Sequence, residues 1–144
     1  MAASVAIWEA NRDGGEGTVW RDAAAHVLNL PPARRLLVFY GNEGELMFEY
    51  YARRSGRMLG DRTGLPRAFR DMEPPRAMQR VQSVADMAAF WRVLADRQPD
   101  EILLVAAHSR EAEAEVVSYL GGRARLLDQS GIGSVHLYRF AYPP

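Results

Sequence analysis

The sequence predicts an α/β domain, specifically a three-layer, Rossmann-like, mostly parallel sheet with an antiparallel carboxyl-terminal strand. Three observations carry this. Ile102 to Ala107 is an unbroken apolar run with charged or polar residues at both ends, and a run this short without alternation marks a strand covered on both faces. Stretches with apolar residues at i, i+3, i+4 and i+7 alternate along the chain with short apolar runs, the order expected of strands separated by helices. The last two apolar segments flank Gln129-Ser130-Gly131-Ile132-Gly133, a glycine-bearing loop of hairpin length that sets the final strand antiparallel to the one before it.

Residues 1–17 end in Asn-Arg-Asp-Gly-Gly-Glu-Gly and read as a flexible amino-terminal segment; residues 18–144 read as one domain. Thr18 is placed to cap a helix from Val19 to Leu28, whose apolar face is Trp20, Ala23, Ala24, Val27 and Leu28. Pro31 and Pro32 stop it, and Leu36 to Tyr40 is the first buried strand. Gly41-Asn42-Glu43-Gly44 turns into a helix over Glu45 to Arg54, with Leu46, Met47 and Tyr50 on one face and Phe48 and Tyr51 on another. Gly56 ends it, and Met58-Leu59 is the expected second strand. Residues 60–77, with three prolines, two glycines and many charges, read as a long excursion. Ser83 and Asp86 form an S-x-x-D capping box for a helix bearing Met87, Phe90, Trp91 and Leu94. After the central strand, Ser109 caps a helix with Glu111 and Glu113 in its first turn, where the dipole favours negative charge, and Gly121-Gly122 ends it. Residues 123–128 and 134–140 are the closing strands.

A chain of 144 residues with 48% apolar and 25% charged content is sized for one core. Eighteen arginines against eighteen acidic residues leave no net charge, which gives no argument for nucleic acid as a partner. The absence of lysine excludes a Schiff base or a P-loop lysine. The absence of cysteine excludes disulfides, thiol nucleophiles and thiolate metal sites. Val5 to Trp8 is too short an apolar stretch to span a bilayer and lacks the form of a signal peptide, so the chain as given is expected to be soluble.

Ligands of open α/β sheets bind beyond the carboxyl ends of the strands. The candidate site is therefore Gly41, Asn42 and Glu43 after the first strand together with His108, Ser109 and Arg110 after the central one. Gly41 permits close backbone approach, Asn42 offers donor and acceptor, and Arg110 brings positive charge. Each also has a structural reading: 41–44 as a plain turn, Ser109 as a helix cap, Arg110 as a solvated residue. Glu43, Glu45 and Glu49 form a carboxylate cluster that a solvated helix face explains equally well. There is no G-x-G-x-x-G, Walker lysine or G-x-S-x-G, and His26, His108 and His136 are not spaced for a metal. No catalytic residue, metal or cofactor is expected.

Several stretches together resemble one family. Trp20-Arg21-Asp22-Ala23-Ala24 resembles its W-R-x-A-A helix start. Leu37-Val38-Phe39-Tyr40-Gly41 followed by Phe48-Glu49-Tyr50-Tyr51 resembles its strand, glycine turn and F-x-Y-Y helix. Leu103 to Ser109 resembles its apolar strand ending in histidine, and Val135-His136-Leu137-Tyr138 its closing strand. The family is the bacterial polytopic glycosyltransferases similar to dolichyl-phosphate-mannose protein mannosyltransferases and lipid A aminoarabinose transferases. The matching part is their carboxyl-terminal extramembrane domain, over roughly residues 18–140. Those enzymes use a polyprenyl-phosphate sugar donor and carry their catalytic carboxylate in a membrane loop that has no counterpart here. The resemblance implies an accessory domain, noncatalytic alone, on the extracytoplasmic face of the plasma membrane. Its partners would be the membrane domain of its parent or a lipid-linked sugar headgroup. The alternative is a free-standing, cytoplasmic Rossmann-like module binding a nucleotide or phosphorylated sugar. An enzyme such as a methyltransferase is a third reading, opposed by the missing glycine-rich first turn.

Overall fold

The computed structural model describes residues 16–40, 43–65, 84–107 and 110–143. They form a mixed α/β fold with a five-stranded mixed sheet and, among the described residues, four helices. In chain order these are α1 (Glu16–Leu28), β1 (Arg35–Tyr40), α2 (Glu43–Arg54), β2 (Arg62–Leu65), α3 (Val84–Arg97), β3 (Glu101–Ala107), α4 (Arg110–Gly121), β4 (Arg125–Ile132) and β5 (Val135–Ala141). The strand order is β2-β1-β3-β5-β4. β1 is parallel to both β2 and β3, and β5 is antiparallel to both β3 and β4.

β3 holds the centre, and all seven of its residues are buried. Its alternate side chains feed two apolar clusters. Ile102, Leu104 and Ala106 join Leu36, Val38 and Tyr40 of β1 under Met87, Phe90 and Leu94 of α3 and Val116 and Leu120 of α4. Leu103, Val105 and Ala107 join Leu37 and Phe39 under Trp20, Ala23, Ala24 and Val27 of α1 and Phe48 of α2. Phe48 meets Phe39 edge-on at 5.2 Å and Trp20 at 6.1 Å between ring centroids. Gly44 is small because a Cβ there would lie 3.1 Å from the Trp20 ring.

A charge opens this central strand. Glu101 is buried, and its carboxylate accepts from Arg35 Nε on β1 and, at 3.0 and 2.6 Å, from Arg139 Nε and Nη2 on β5. Arg35 and Glu101 are register partners, so the ion pairs tie the three middle strands at one end. Two further arginines cover helix ends. Arg34 donates to the carbonyls of Arg97 and Gln98 after α3, and Arg57 donates to the Leu28 carbonyl and to Asn29 Oδ1 after α1. These carbonyls have no partner inside their helices.

Several boundaries differ from expectation. α1 opens at Glu16, so Thr18 lies inside the first turn instead of capping it. The second strand is Arg62–Leu65, not Met58-Leu59. Met58 is 90% exposed, whereas Thr63 and Leu65 are buried and the Asp61 carbonyl receives the Leu37 amide at 3.0 Å. An edge strand of four residues is selected by its pairing with β1, which its own R-T-G-L pattern does not reveal. Gly56 ends α2 as expected, with φ +71°. Its amide bonds the Arg53 carbonyl and the Arg57 amide bonds the Ala52 carbonyl, a Schellman arrangement. Of the two expected faces of α2, Phe48 is buried, together with Ala52, while Leu46, Met47, Tyr50 and Tyr51 are half-buried. The closing strands pair as expected, but the loop is two residues, not five, because β4 runs on to Ile132 and carries an irregularity around Leu127. Residues 66–83, which hold most of the excursion and the Ser83 cap, lie outside the described residues. No helix among the described residues is long and apolar enough to cross a membrane.

Three stability measurements check this account by urea denaturation. Leu104→Ala is expected to cost about 3–5 kcal/mol, as for other enclosed leucines. Glu101→Ala, which strands two guanidinium groups, is expected to cost about 3–5 kcal/mol. Gly133 has φ +58°, and a Cβ there would lie 2.6 Å from Val19 Cγ2. Gly133→Ala is therefore expected to cost more than ~1 kcal/mol, with part of the loss recovered in the Val19→Ala background.

Candidate functional site

The two edges of the sheet differ in chemistry. At the amino edge of β1, β2 and β3 lies a cleft of about 430 Å³ lined by Leu30, Arg34, Arg57, Leu59, Asp61 and Arg97 among others. A second, of about 520 Å³, shares the 57–61 segment and adds Glu49, Arg53 and Arg62. Three of these arginines suggest an anion site, but their guanidinium groups are already engaged. Arg34 and Arg57 cover helix carbonyls, and Arg97 donates to Asp61 Oδ1 at 2.9 Å. The carboxyl-terminal ends of α1 and α3 also point here, and their dipoles oppose an anion. The clefts are by-products of helix capping at the edge opposite to the one where such sheets take ligands.

At the carboxyl edge, Tyr40 of β1 pairs with Ala106 of β3. β1 and β3 therefore end side by side, and α2 and α4 begin at Glu43 and Arg110. Gly41, Asn42, His108 and Ser109, and the side chains of Glu43 and Arg110, lie outside the described residues. The two strand ends that were expected to be neighbours are neighbours.

The described residues next to this edge hold a polar cluster that sequence reasoning passed over. Glu113, in the first turn of α4, occupies the helical stripe continued by Val116, Val117 and Leu120, and so faces the sheet. It is buried. Its Oε2 accepts from the Tyr138 hydroxyl at 2.6 Å and lies 2.7 Å from His136 Nδ1. His136 and Tyr138 alternate along β5 on the same face, and His136 is the register partner of Ala106. Burial first, then the hydrogen bond to Glu113 and its charge, raise the Tyr138 pKa well above the ordinary tyrosine value of 10.0, so the phenol stays a donor. The sequence signal was available: a glutamate at an apolar stripe position does more than complement the helix dipole.

Of the Glu43, Glu45 and Glu49 cluster, Glu45 is not on a solvated face, Glu49 is half-buried, and the side chain of Glu43 lies outside the described residues. Glu45 is buried, its Oε1 accepts from Arg62 Nε at 2.9 Å, and among the described residues its Oε2 is buried without a hydrogen-bond partner. Among the described residues no three His, Asp or Glu side chains gather as they would around a metal ion.

No protein-family model matches the sequence, and no curated protein matches it. Among solved structures the chain is similar to the 16S rRNA methylase ArmA, at 9% identity over 91% of this chain and 86% of that one, with a TM-score of 0.39. It is also similar to the 16S rRNA methylase RmtB, at 14% identity over 98% and 75% of the two chains, with a TM-score of 0.42. Likenesses this distant carry no argument about what the chain does.

The Glu113–Tyr138 bond has a measurable signature. Tyr138→Phe is expected to lower stability by about 1.5–3 kcal/mol near neutral pH, the range for a hydrogen bond to a charged group. A pKa raised on folding stabilises fully below the unfolded value of about 10 and is lost as pH climbs toward the folded one. The gap between the two proteins in urea denaturation is therefore expected to narrow above about pH 10.

Proposed function

We propose that this chain is an accessory extramembrane domain of a polyprenyl-phosphate-sugar-dependent membrane glycosyltransferase, noncatalytic alone, on the extracytoplasmic side. Its partner is the membrane portion of that enzyme or the headgroup of its lipid-linked sugar. In this reading the fold is a three-layer Rossmann-like sheet with β5 its antiparallel member.

One observation carries the reading. The stretches that resemble the glycosyltransferase domain, far apart in sequence, form one packed unit. Residues 20–24 lie on α1, with the Trp20 ring against Phe48 of α2, and Phe48 lies against Phe39 of β1. Of the other two stretches, residues 103–107 fall on β3 and residues 135–138 on β5, and β1, β3 and β5 are neighbouring strands of the sheet. Segments that share one packing environment keep their order and spacing as a set, which is what the resemblance rests on.

A second reading, a module binding a nucleotide or phosphorylated sugar, has its own support. The ends of β1 and β3 are adjacent and each is followed at once by a helix amino terminus, where backbone N–H groups favour an anion. Two buried carboxylates, Glu45 and Glu113, stand in the first turns of those helices and weigh against it.

The purified chain is expected to transfer no sugar from a polyprenyl-phosphate donor, while deletion of this domain from a full-length membrane enzyme that carries it is expected to impair transfer. Turnover by the isolated chain that disappears on mutating one of its own residues would overturn the proposal. Thermal stabilisation by nucleotides, without any effect of the deletion, would favour the second reading.

A further inference from the structure

The amino edge of the sheet presents a side chain that the core does not use. Met58 is 90% exposed, about twice as open as Leu126 and Leu127, the other exposed large apolar residues among those described. It stands between the two clefts and lines both, and half-buried Leu30 and Leu59 line the first cleft with it. Gly56 and Gly60, at φ +71° and +81°, bend the chain on either side, and glycine takes such angles without strain. Two glycines thus hold an apolar tip in water, where it adds nothing to the core.

The charges around Met58 are fixed in place, and not all are cancelled. Arg34, Arg57 and Arg97 line the first cleft, and Arg53 and Arg57 the second. Arg97 is paired with Asp61, and Arg53 with Glu49. Arg34 and Arg57 instead donate to the carbonyls of Arg97, Gln98 and Leu28 and to Asn29 Oδ1. Among the described residues neither meets a carboxylate. A neutral acceptor holds a guanidinium still without cancelling its charge. Each helix end brings only about half a negative charge, less than the full charge of the arginine that covers it. An enclosed anion would need free donors that are not there. A charged plane outside the clefts needs only the summed positive potential.

We propose that this end of the domain lies against an anionic phospholipid bilayer, with Met58 entering the headgroup layer among Arg34, Arg53 and Arg57. An apolar tip ringed by long cationic side chains matches the boundary of a bilayer, where apolar groups meet acyl chains and charged heads stay among phosphates. The choice of a bilayer over another polyanion rests on Met58, which a nucleic-acid backbone would leave in water. It rests also on the reading of the chain as an extramembrane domain of a membrane enzyme. A few arginines bind such a surface weakly. That is enough to orient a domain already tethered beside it, because the tether makes the contact intramolecular. The carboxyl edge, with Glu45 and Glu113 at its helix starts, then faces away from the lipid.

Co-sedimentation of the intact chain with vesicles of phosphatidylglycerol or of phosphatidylcholine provides the test. At low salt the chain is expected to bind phosphatidylglycerol several-fold better than phosphatidylcholine. It is expected to leave those vesicles as salt rises to about 0.5 M, where charges are screened within roughly 4 Å. Met58→Ser removes the apolar tip without changing charge, at a site with no packing to lose, and is expected to cut binding several-fold with urea denaturation unchanged. Arg53→Glu, at a side chain 78% exposed, is expected to do the same. Glu115→Arg, exposed on α4 away from the patch, restores the net charge of Arg53→Glu and is expected not to restore its binding. No binding at low salt, equal binding to the two lipids, binding that Met58→Ser leaves unchanged, or rescue by Glu115→Arg would each overturn the proposal. Tighter binding to single-stranded RNA than to phosphatidylglycerol would overturn it in favour of nucleic acid. If vesicles are not bound but deletion of the domain still impairs the membrane enzyme, this inference falls and the functional reading stands. If vesicles are bound through Met58 but the isolated chain transfers sugar, the reverse holds.

Discussion

Every residue of β3 is removed from water, and that single constraint arranges the rest of the chain. A strand in this position needs apolar cover on both faces, so its odd and even residues call for helices on opposite sides. α1 and α2 supply one set of side chains, α3 and α4 the other. Such a strand also needs neighbours on both edges to pair its backbone groups, and β1 and β5 provide them. The charge at its first residue makes the arrangement specific. Glu101 is satisfied only when Arg35 and Arg139 arrive from those two neighbours. A slip of one residue would move the arginines away and turn each strand's buried set to the wrong face. Apolar burial supplies the driving force, and the Arg35–Glu101–Arg139 group selects among registers that burial alone would distinguish less sharply.

The same logic divides the two edges of the sheet. Helices that follow parallel strands return with their carboxyl ends near the amino edge, and their unpaired carbonyls collect there. Arg34 and Arg57 cover those carbonyls, which explains how an arginine-lined cleft forms without being an anion site. Helix amino termini collect at the opposite edge. There the buried carboxylates of Glu45 and Glu113 stand in first turns, where the positive end of the dipole stabilises them. A position that in other α/β domains is open to phosphate is here partly occupied by the protein's own negative charge.

Much of the fold was legible in the sequence because its signals are local. The runs 36–40 and 102–107 could only be buried strands, and Met87, Phe90 and Leu94 could only be one helix face; all are buried. The pairing of the last two strands followed from their separation. β2 was not legible, since Arg62-Thr63-Gly64-Leu65 has no pattern of its own and is a strand only because β1 offers an edge. The exposed Met58 drew the expectation to the wrong place, since hydrophobicity alone does not say which neighbour a residue will find. The hairpin loop was overestimated because Gln129, Ser130 and Gly131 look like turn residues, yet they continue an edge strand whose side chains need not be apolar. The stripe position marked Glu113 as facing the sheet, but its partners were hidden for a different reason. Glu113 is 23 residues from His136 and 25 from Tyr138, and no spacing rule links a first-turn glutamate to a strand that far along the chain.

What the cluster adds to the fold can be separated from what it adds to a site. Replacing Glu113, His136 and Tyr138 together by apolar residues of similar size would remove every buried polar atom of the group at once, and such exchanges are often neutral or stabilising. Replacing Glu113 alone would leave Tyr138 and His136 donating to nothing. Stability by itself therefore gives no reason for the three polar residues to stand here in place of an apolar set. Packing alone does not account for a half-exposed imidazole either, because the glycine across from it gives up contact area that any larger residue would bury. The arrangement holds one face of a histidine rigidly and leaves the other uncovered.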